Sequence, residues 1–194
     1  MNNAVIENIL IRRSCRQFRP DQIKKEELDA ILLAAQYAPS GSNNQSWIFT
    51  AIQNKELLLE LNESVSECIK NLKIEDNYPA KVSAKKRVED GTFMMYHSAP
   101  CLIIVSNLKE YGNNRADSAC AIENMFLAAT SLGIGSCWIN QLNWVYDMEP
   151  ARKMLQKLNI PDNHMVGGCV ALGYPVKLDL KATPRKEGTV RYFL

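Results

Sequence analysis

Apolar residues recur at helical spacing at Val5, Ile6, Ile9 and Leu10, just ahead of Arg12 and Arg13, and predict a short first helix. Leu28, Ile31, Leu32 and Ala35 predict a second, with Glu26 and Glu27 in its first turn and an end where Pro39 disfavours helical geometry at Ala38. A long polar loop, 39–46, interrupts the pattern. Residues 47–52 then read as a strand, and Leu57, Leu58, Leu61, Val65, Cys68, Ile69 and Leu72 return to a helical stripe. Over 77–96 the pattern weakens, and Lys81, Lys85, Lys86 and Arg87, offset in part by Glu89 and Asp90, predict an exposed helix.

The second half is more apolar. Residues 101–105, entered through Pro100, form the short continuous run of a buried strand. From Ala119 to Leu132 apolar side chains surround most of a helix whose charges are Asp117 and Glu123, which predicts the buried centre of the fold, capped by Gly133. A short strand at 136–139, a helix capped by Asp147 and running to Leu158, and a core strand at 166–172 follow. Residues 189–194 alternate enough to predict a terminal strand, which needs a sheet edge to pair with. Helices outnumbering about four strands predict an α+β sandwich, a small sheet between helical layers.

A length of 194 residues without a linker predicts one domain, 1–194, and 46% hydrophobic with 23% charged residues is ordinary for a globular chain. A net charge of +2 is too small a field to make nucleic acid the expected partner. The start has neither a basic nor an apolar leader segment, and the uncharged stretch 124–146 is broken by Thr130, Ser131, Asn140, Gln141 and Asn143, so neither export nor a membrane span is expected. Six cysteines without a C-x-x-C pair suit reduced thiols in the cytoplasm.

Three arginines and a hydroxyl in Arg12-Arg13-Ser14-Cys15-Arg16 have two readings: cations at the negative end of a helix, or forked donors to a phosphate dianion. Arg185-Lys186 is a second short basic cluster, with simple solvation as the alternative. Gly133-Ile134-Gly135 follows a helix and opens a strand, the reverse of a dinucleotide fingerprint. It either ends the helix or lets residues 135–140 bring their backbone close to a flat ligand. Ser14, Ser40 and Ser42 lack a nearby His-Asp pair, and His97 and His164 are isolated, so neither a hydrolytic triad nor a metal site is expected. Arginines could activate the Cys15 thiol, although packing is its more ordinary use.

Taken together, R-R-S-C-R followed by F, the loop A-P-S-G-S-N-N-Q-S-W-I-F, the helix E-N-M-F-L-A-A-T-S-L-G-I-G-S-C-W-I-N, then V-A-L-G-Y-P and P-R-K resemble the FMN-dependent nitroreductase family, in order and over essentially the whole chain. The resemblance implies a three-layer α/β/α sandwich and an intertwined homodimer with FMN at the interface. It implies that Arg12, Arg13, Ser14 and Arg16, joined by Arg185 and Lys186, hold the phosphate and ribityl chain. Pro39, Ser40 and Gly41 would border the flavin from the other subunit, Asn43 and Gln45 would be its polar ligands, and Trp138, Ile139 and Asn140 would line the ring. Ser46 departs from the proline usual before this tryptophan. The implied activity is hydride transfer from NADH or NADPH to FMN and on to a small-molecule acceptor, a nitroaromatic, quinone or similar electrophile, by ping-pong kinetics and with no catalytic side chain. Its rivals are a same-fold dehalogenase or enone reductase and a flavin-binding redox sensor using Cys15. The apolar helix at 122–132 and the unpaired tail independently favour a homodimer.

Overall fold

Four apolar runs pair into one antiparallel sheet, in the order β1-β2-β4-β3. The computed structural model describes residues 3–74, 78–177 and 181–194. The strands are β1 (Ile48–Ile52), β2 (Cys101–Leu108), β3 (Gly135–Ile139) and β4 (His164–Gly173). The helices are α1 (Ala4–Ile11), α2 (Lys25–Gln36), α3 (Lys55–Asn71), α4 (Pro79–Glu89), α5 (Asn114–Ser131), α6 (Gln141–Val145) and α7 (Glu149–Lys157).

Because side chains alternate across a strand, the two faces of the sheet build two cores. Leu102, Ile104, Cys137, Ile139, Val166, Cys169 and Ala171 pack with α3, α4, α6 and α7. Cys101, Ile103, Val105, Val170 and Leu172 pack with α2 and α5 on the other side. The result is the expected helix–sheet–helix sandwich. Each fully buried Leu or Ile here contributes about 1.5–3 kcal/mol relative to exposure.

The structure corrects several sequence expectations. Among the described residues, 189–194 form no strand: the tail is exposed, with Phe193 at 94% and no sheet edge beside it. Asp147 does not cap α7, whose N-cap is Met148; its carboxylate pairs with Lys109 at 2.6 Å instead. The helix expected over 77–96 is confined to 79–89, with Asn77 outside the described residues. Phe93, Met95 and Tyr96 are buried, and His97 and Ser98 are both left-handed, so this stretch is a packed turn. The basic face of α4 is partly engaged, Arg87 lying over Phe93 and Lys85 donating to the Leu72 carbonyl.

Helix α1 keeps the predicted span, yet none of its residues is buried, and Val5, Leu10 and Ile11 are each more than 60% exposed. Asn8 donates to the Leu127 carbonyl at 2.8 Å and ties it to α5. Among the described residues no helix is long and apolar enough to cross a membrane.

Candidate functional site

The basic segment leaves α1 and runs directly onto the start of β3. The Cys15 N–H donates to the Ser136 carbonyl at 2.8 Å, and Ser14 bridges to Ser136. Gly135 permits this approach, since a Cβ there would lie 2.9 Å from the Cys15 Cβ and Sγ. The close contact of the Gly-Ile-Gly motif is therefore with the basic segment, while Gly133, at φ 71°, ends α5. Two cavities flank the segment. One of about 230 Å³ opens on Ser14, Cys15, Arg16, Gln17 and Lys177. The other, about 140 Å³, is bounded by Arg13, Gly133, Gly135, Pro175 and again Lys177. Lys177 escaped the sequence reading because no local motif marks it.

The guanidiniums differ in what holds them. Arg12 lies over the Phe126 ring at 5.7 Å, with Glu123 4.0 Å away. Arg13 donates through one terminal nitrogen to the carbonyls of Leu10 and Arg12, so part of it does satisfy the C-terminal end of α1, while its buried Nε has no partner. Arg16 is exposed and, among the described residues, forms neither an ion pair nor a side-chain hydrogen bond. The Ser136 hydroxyl is likewise buried without a partner. Unpaired buried polar atoms are uncommon in folded chains; Arg13 lines one of the two cavities, and Ser136 is bridged to Ser14, which lines the other. That donor set fits a phosphorylated ligand.

Trp138 projects from the edge strand β3 on the same face as α5, 38% exposed, its ring edge-on to Phe126 at 6.2 Å. A Cβ on Gly168 would lie 2.9 Å from the indole, so the bare glycine lets the ring rest on the sheet. Ile139 faces the opposite core and is 1% exposed, so only its backbone can line a ligand next to Trp138. Asn140, half-buried, accepts from the Asn143 amide at 3.3 Å.

Cys15 is buried, and burial raises its thiol pKa despite the Gln17 carbonyl contact and the lowering effect of Arg16. Proximity to arginine does not activate it, and packing is its role. All six cysteines are free. Among the described residues no group of three or more His, Cys, Asp or Glu gathers as a metal site.

The loop 39–46 lies elsewhere. It enters β1, whereas the basic segment meets β3, and these are opposite edges of the sheet, roughly 14 Å apart across three strand spacings. The pairing register puts them at diagonal corners: Ile48 opposes Ser106 far along β2, while Gly135 opposes the last residue of β4. Pro39 and Ser40 lead into a turn in which Ser42, Asn43 and Gln45 all have positive φ, a strained geometry for residues with side chains. The Gln45 amide donates to Asn43 Oδ1 at 2.8 Å, and both residues line an open cavity of about 790 Å³ with Tyr37, Trp47 and Phe49. Ser46 donates to the buried Asn107 side chain at 2.7 Å, fastening the loop where a proline would have stiffened it. Arg185 and Lys186 lie in the exposed tail and join neither cluster. A single chain thus brings Arg12, Arg13, Ser14, Arg16, Trp138, Ile139 and Asn140 together, and keeps Pro39, Ser40, Gly41, Asn43 and Gln45 apart from them.

Comparison with known proteins places this geometry. The Nitroreductase family profile matches residues 9–174. A nitroreductase with bound FMN from Bacteroides fragilis is 44% identical, superimposes with a TM-score of 0.90, and is matched over 100% of both chains. An FMN-bound nitroreductase from Desulfitobacterium hafniense is 28% identical, again over 100% of both chains, with a TM-score of 0.84. An Archaeoglobus fulgidus protein provisionally named an NADH dehydrogenase/NAD(P)H nitroreductase is 32% identical over 177 residues, 88% of this chain and 84% of its own.

Proposed function

The chain belongs to the nitroreductase family, and from that premise we propose that it is an FMN-dependent oxidoreductase drawing on NADH or NADPH to reduce a flat acceptor such as a nitroaromatic or a quinone. One observation carries the reading: the basic segment, with Arg12, Arg13, Ser14, Arg16 and the unpartnered buried Arg13 Nε, meets β3 at Ser136, whose own hydroxyl is buried and unpartnered, two residues before Trp138. Cations that bind a phosphate and an aromatic edge beside a flat ring are what an FMN-sized ligand requires. FMN is bound in the Bacteroides fragilis and Desulfitobacterium hafniense structures, and the archaeal relative's name supports a nicotinamide reductant.

FMN, when bound, supplies the two-electron redox chemistry, so the protein is left to bind, orient and exclude water. Arg12, Arg13, Arg16 and Ser14 would hold the phosphate, with Lys177 at the mouth of both cavities. Trp138 and the backbone at Ile139 and Asn140 would border the ring. The loop residues Pro39, Ser40, Gly41, Asn43 and Gln45 reach a flavin on β3 only from a second copy, because in one chain they occupy the opposite corner of the sheet. A homodimer with sites shared between subunits is therefore part of the proposal, and Arg185 and Lys186 belong to it once the tail is docked.

A nicotinamide and a flat acceptor need the same open ring face, which excludes simultaneous binding and makes the kinetics ping-pong. Parallel double-reciprocal lines are expected, and intersecting lines would remove that part of the proposal. The reading as a whole is tested by the visible spectrum of the purified protein followed by anaerobic titration with NADH and with NADPH. A flavin spectrum bleached by one equivalent of either, and restored by a quinone, is expected. A protein that retains no FMN, or whose flavin neither nucleotide bleaches, would overturn it. A panel of nitroaromatic, quinone, enone and halogenated aromatic acceptors then separates the acceptor classes.

A further inference from the structure

Gly41 is held from both sides, by the first turn of α5 and by the connection that leads into it. Its N–H donates to the Asp117 carboxylate, 3.2 and 3.3 Å from the two oxygens, and its carbonyl accepts from the Tyr111 hydroxyl at 2.9 Å. Asp117 is 5% exposed, so this buried carboxylate is committed to the backbone that it faces. A Cβ on residue 41 would come within 2.2 Å of the Asn113 amide nitrogen and 2.5 Å of the Tyr111 hydroxyl, so a larger residue there would have to push these two side-chain ends aside. Burial first, and the Asp117 carboxylate next, raise the pKa of the Tyr111 phenol, which keeps the donated proton in place.

A second anchor closes the loop five residues on. The Ser46 hydroxyl donates to the fully buried Asn107, whose amide nitrogen donates to the Asn114 carbonyl, while the Asn114 side chain donates to the carbonyls of Leu108 and Lys109. Both ends of the strained turn are thus fastened to one connection, between β2 and α5. Between the anchors stand Ser42, Asn43 and Gln45 with positive φ, a costly conformation that the turn's own bonds, from the Asn43 and Gln45 N–H groups to the Ser40 carbonyl and hydroxyl, hold together with the two anchors.

We propose that Tyr111 and Asp117 are positioning residues for the flavin: acting through Gly41, they fix the left-handed turn that presents Asn43 and Gln45 to the cofactor. The inference rests on the functional reading above. It adds that affinity for the ring depends on two side chains about 70 residues away in sequence, which touch the loop rather than the ligand.

The test compares Tyr111→Phe, Asp117→Asn and the double variant with wild type. It measures FMN affinity by flavin fluorescence, visible circular dichroism of the bound flavin, amide exchange of the 39–47 segment and the unfolding temperature. Tyr111→Phe should weaken FMN about tenfold, the effect of one lost hydrogen bond, and Asp117→Asn, which keeps one acceptor oxygen but loses the charge, by a smaller factor; both should alter the flavin dichroism and speed exchange at 39–47. Because both side chains hold the same glycine, the double variant should lose less than the product of the two single losses. Unchanged affinity and dichroism would overturn the proposal, as would a lowered unfolding temperature with both unchanged. Tyr111→Phe removes a single oxygen, and carries the test should Asp117→Asn fail to fold. If wild type itself bound no FMN, the functional reading would fall. Exchange at 39–47 would then still show whether the two side chains order the turn: faster exchange in the variants would uphold the clamp, and equal exchange would end it.

Discussion

Three arginines within five residues carry the phosphate assignment, and their surroundings make their substitutions distinguishable. Among the described residues Arg16 has no ion-pair or side-chain hydrogen-bond partner, so Arg16→Ala should weaken FMN by about 1.5–3 kcal/mol, the scale of a charge-assisted hydrogen bond, and leave the unfolding temperature nearly unchanged. Arg12 also packs over Phe126, so Arg12→Ala should lower affinity and stability together. Riboflavin, which lacks the phosphate, should bind all three proteins with nearly equal weakness. Equal affinity of wild type for FMN and riboflavin would remove the phosphate clamp. A different residue sets the response to acid. His164 is buried, with Nδ1 3.2 Å from the Ser106 hydroxyl, and burial, then the Arg152 charge, lowers its pKa. The unfolded chain therefore takes up that proton first. The stabilisation is complete above the unfolded value of about 6.5 and is lost as pH falls through that value toward the lower folded one. His97, lowered by burial, Arg16 and Arg87, acts in the same direction. Unfolding temperature should drop between pH 7.5 and 5, and His164→Asn should make that drop shallower. An equal pH dependence in the variant would exclude His164 as a contributor.

At the scale of elements, β4 positions the site through two bare glycines. A Cβ on Gly167 would lie 2.4 Å from the Ser118 Cβ, so α5 rests on the strand's backbone there, and Gly168 does the same for the Trp138 ring. Gly168→Ala must displace the indole or Ile122, an overpacking change of about 1–3 kcal/mol, and should shift tryptophan fluorescence and weaken FMN at once. Stability lost with fluorescence and affinity intact would detach Trp138 from the site. All four strands were legible as apolar runs, but β2 was read as ending at Val105 because Ser106 and Asn107 are polar. Both are fully buried and bonded, to His164 and Ser46, partners that lie 58 and 61 residues away. The same cause hid the clamp on Gly41 and the cation at Lys177: a short-range motif such as R-R-S-C-R shows in sequence, whereas a hydrogen bond across 70 residues leaves no period or spacing. The 79–89 helix was overextended for the opposite reason, since Phe93, Met95 and Tyr96 are apolar but packed in a turn.

The whole molecule leaves uncovered what a second copy would cover. Val5, Ile9, Leu10 and Ile11 on α1, and Val190, Tyr192, Phe193 and Leu194 in the tail, are exposed, two runs of large apolar side chains that a partner surface would cover. Among the described residues no further strand pairs with the β1 edge, and the β3 edge meets only the bridge from Ser14 to Ser136. The predicted cofactor residues divide between diagonal corners of the sheet, so in the proposed homodimer each copy would supply half a site and two copies, related by a twofold axis, would supply two whole ones. In this arrangement the tail's apolar residues find cover on the partner, carrying Arg185 and Lys186 with them toward a phosphate. On the proposed shared site, removing residues 189–194 should reduce dimer stability and FMN content in proportion, because the flavin would sit where the subunits meet. Sedimentation across a dilution series, read alongside the flavin-to-protein absorbance ratio, measures both. A truncated monomer that keeps its full complement of FMN would refute the shared site, and a truncated dimer with full FMN would show that α1 and the sheet edges hold the subunits without the tail.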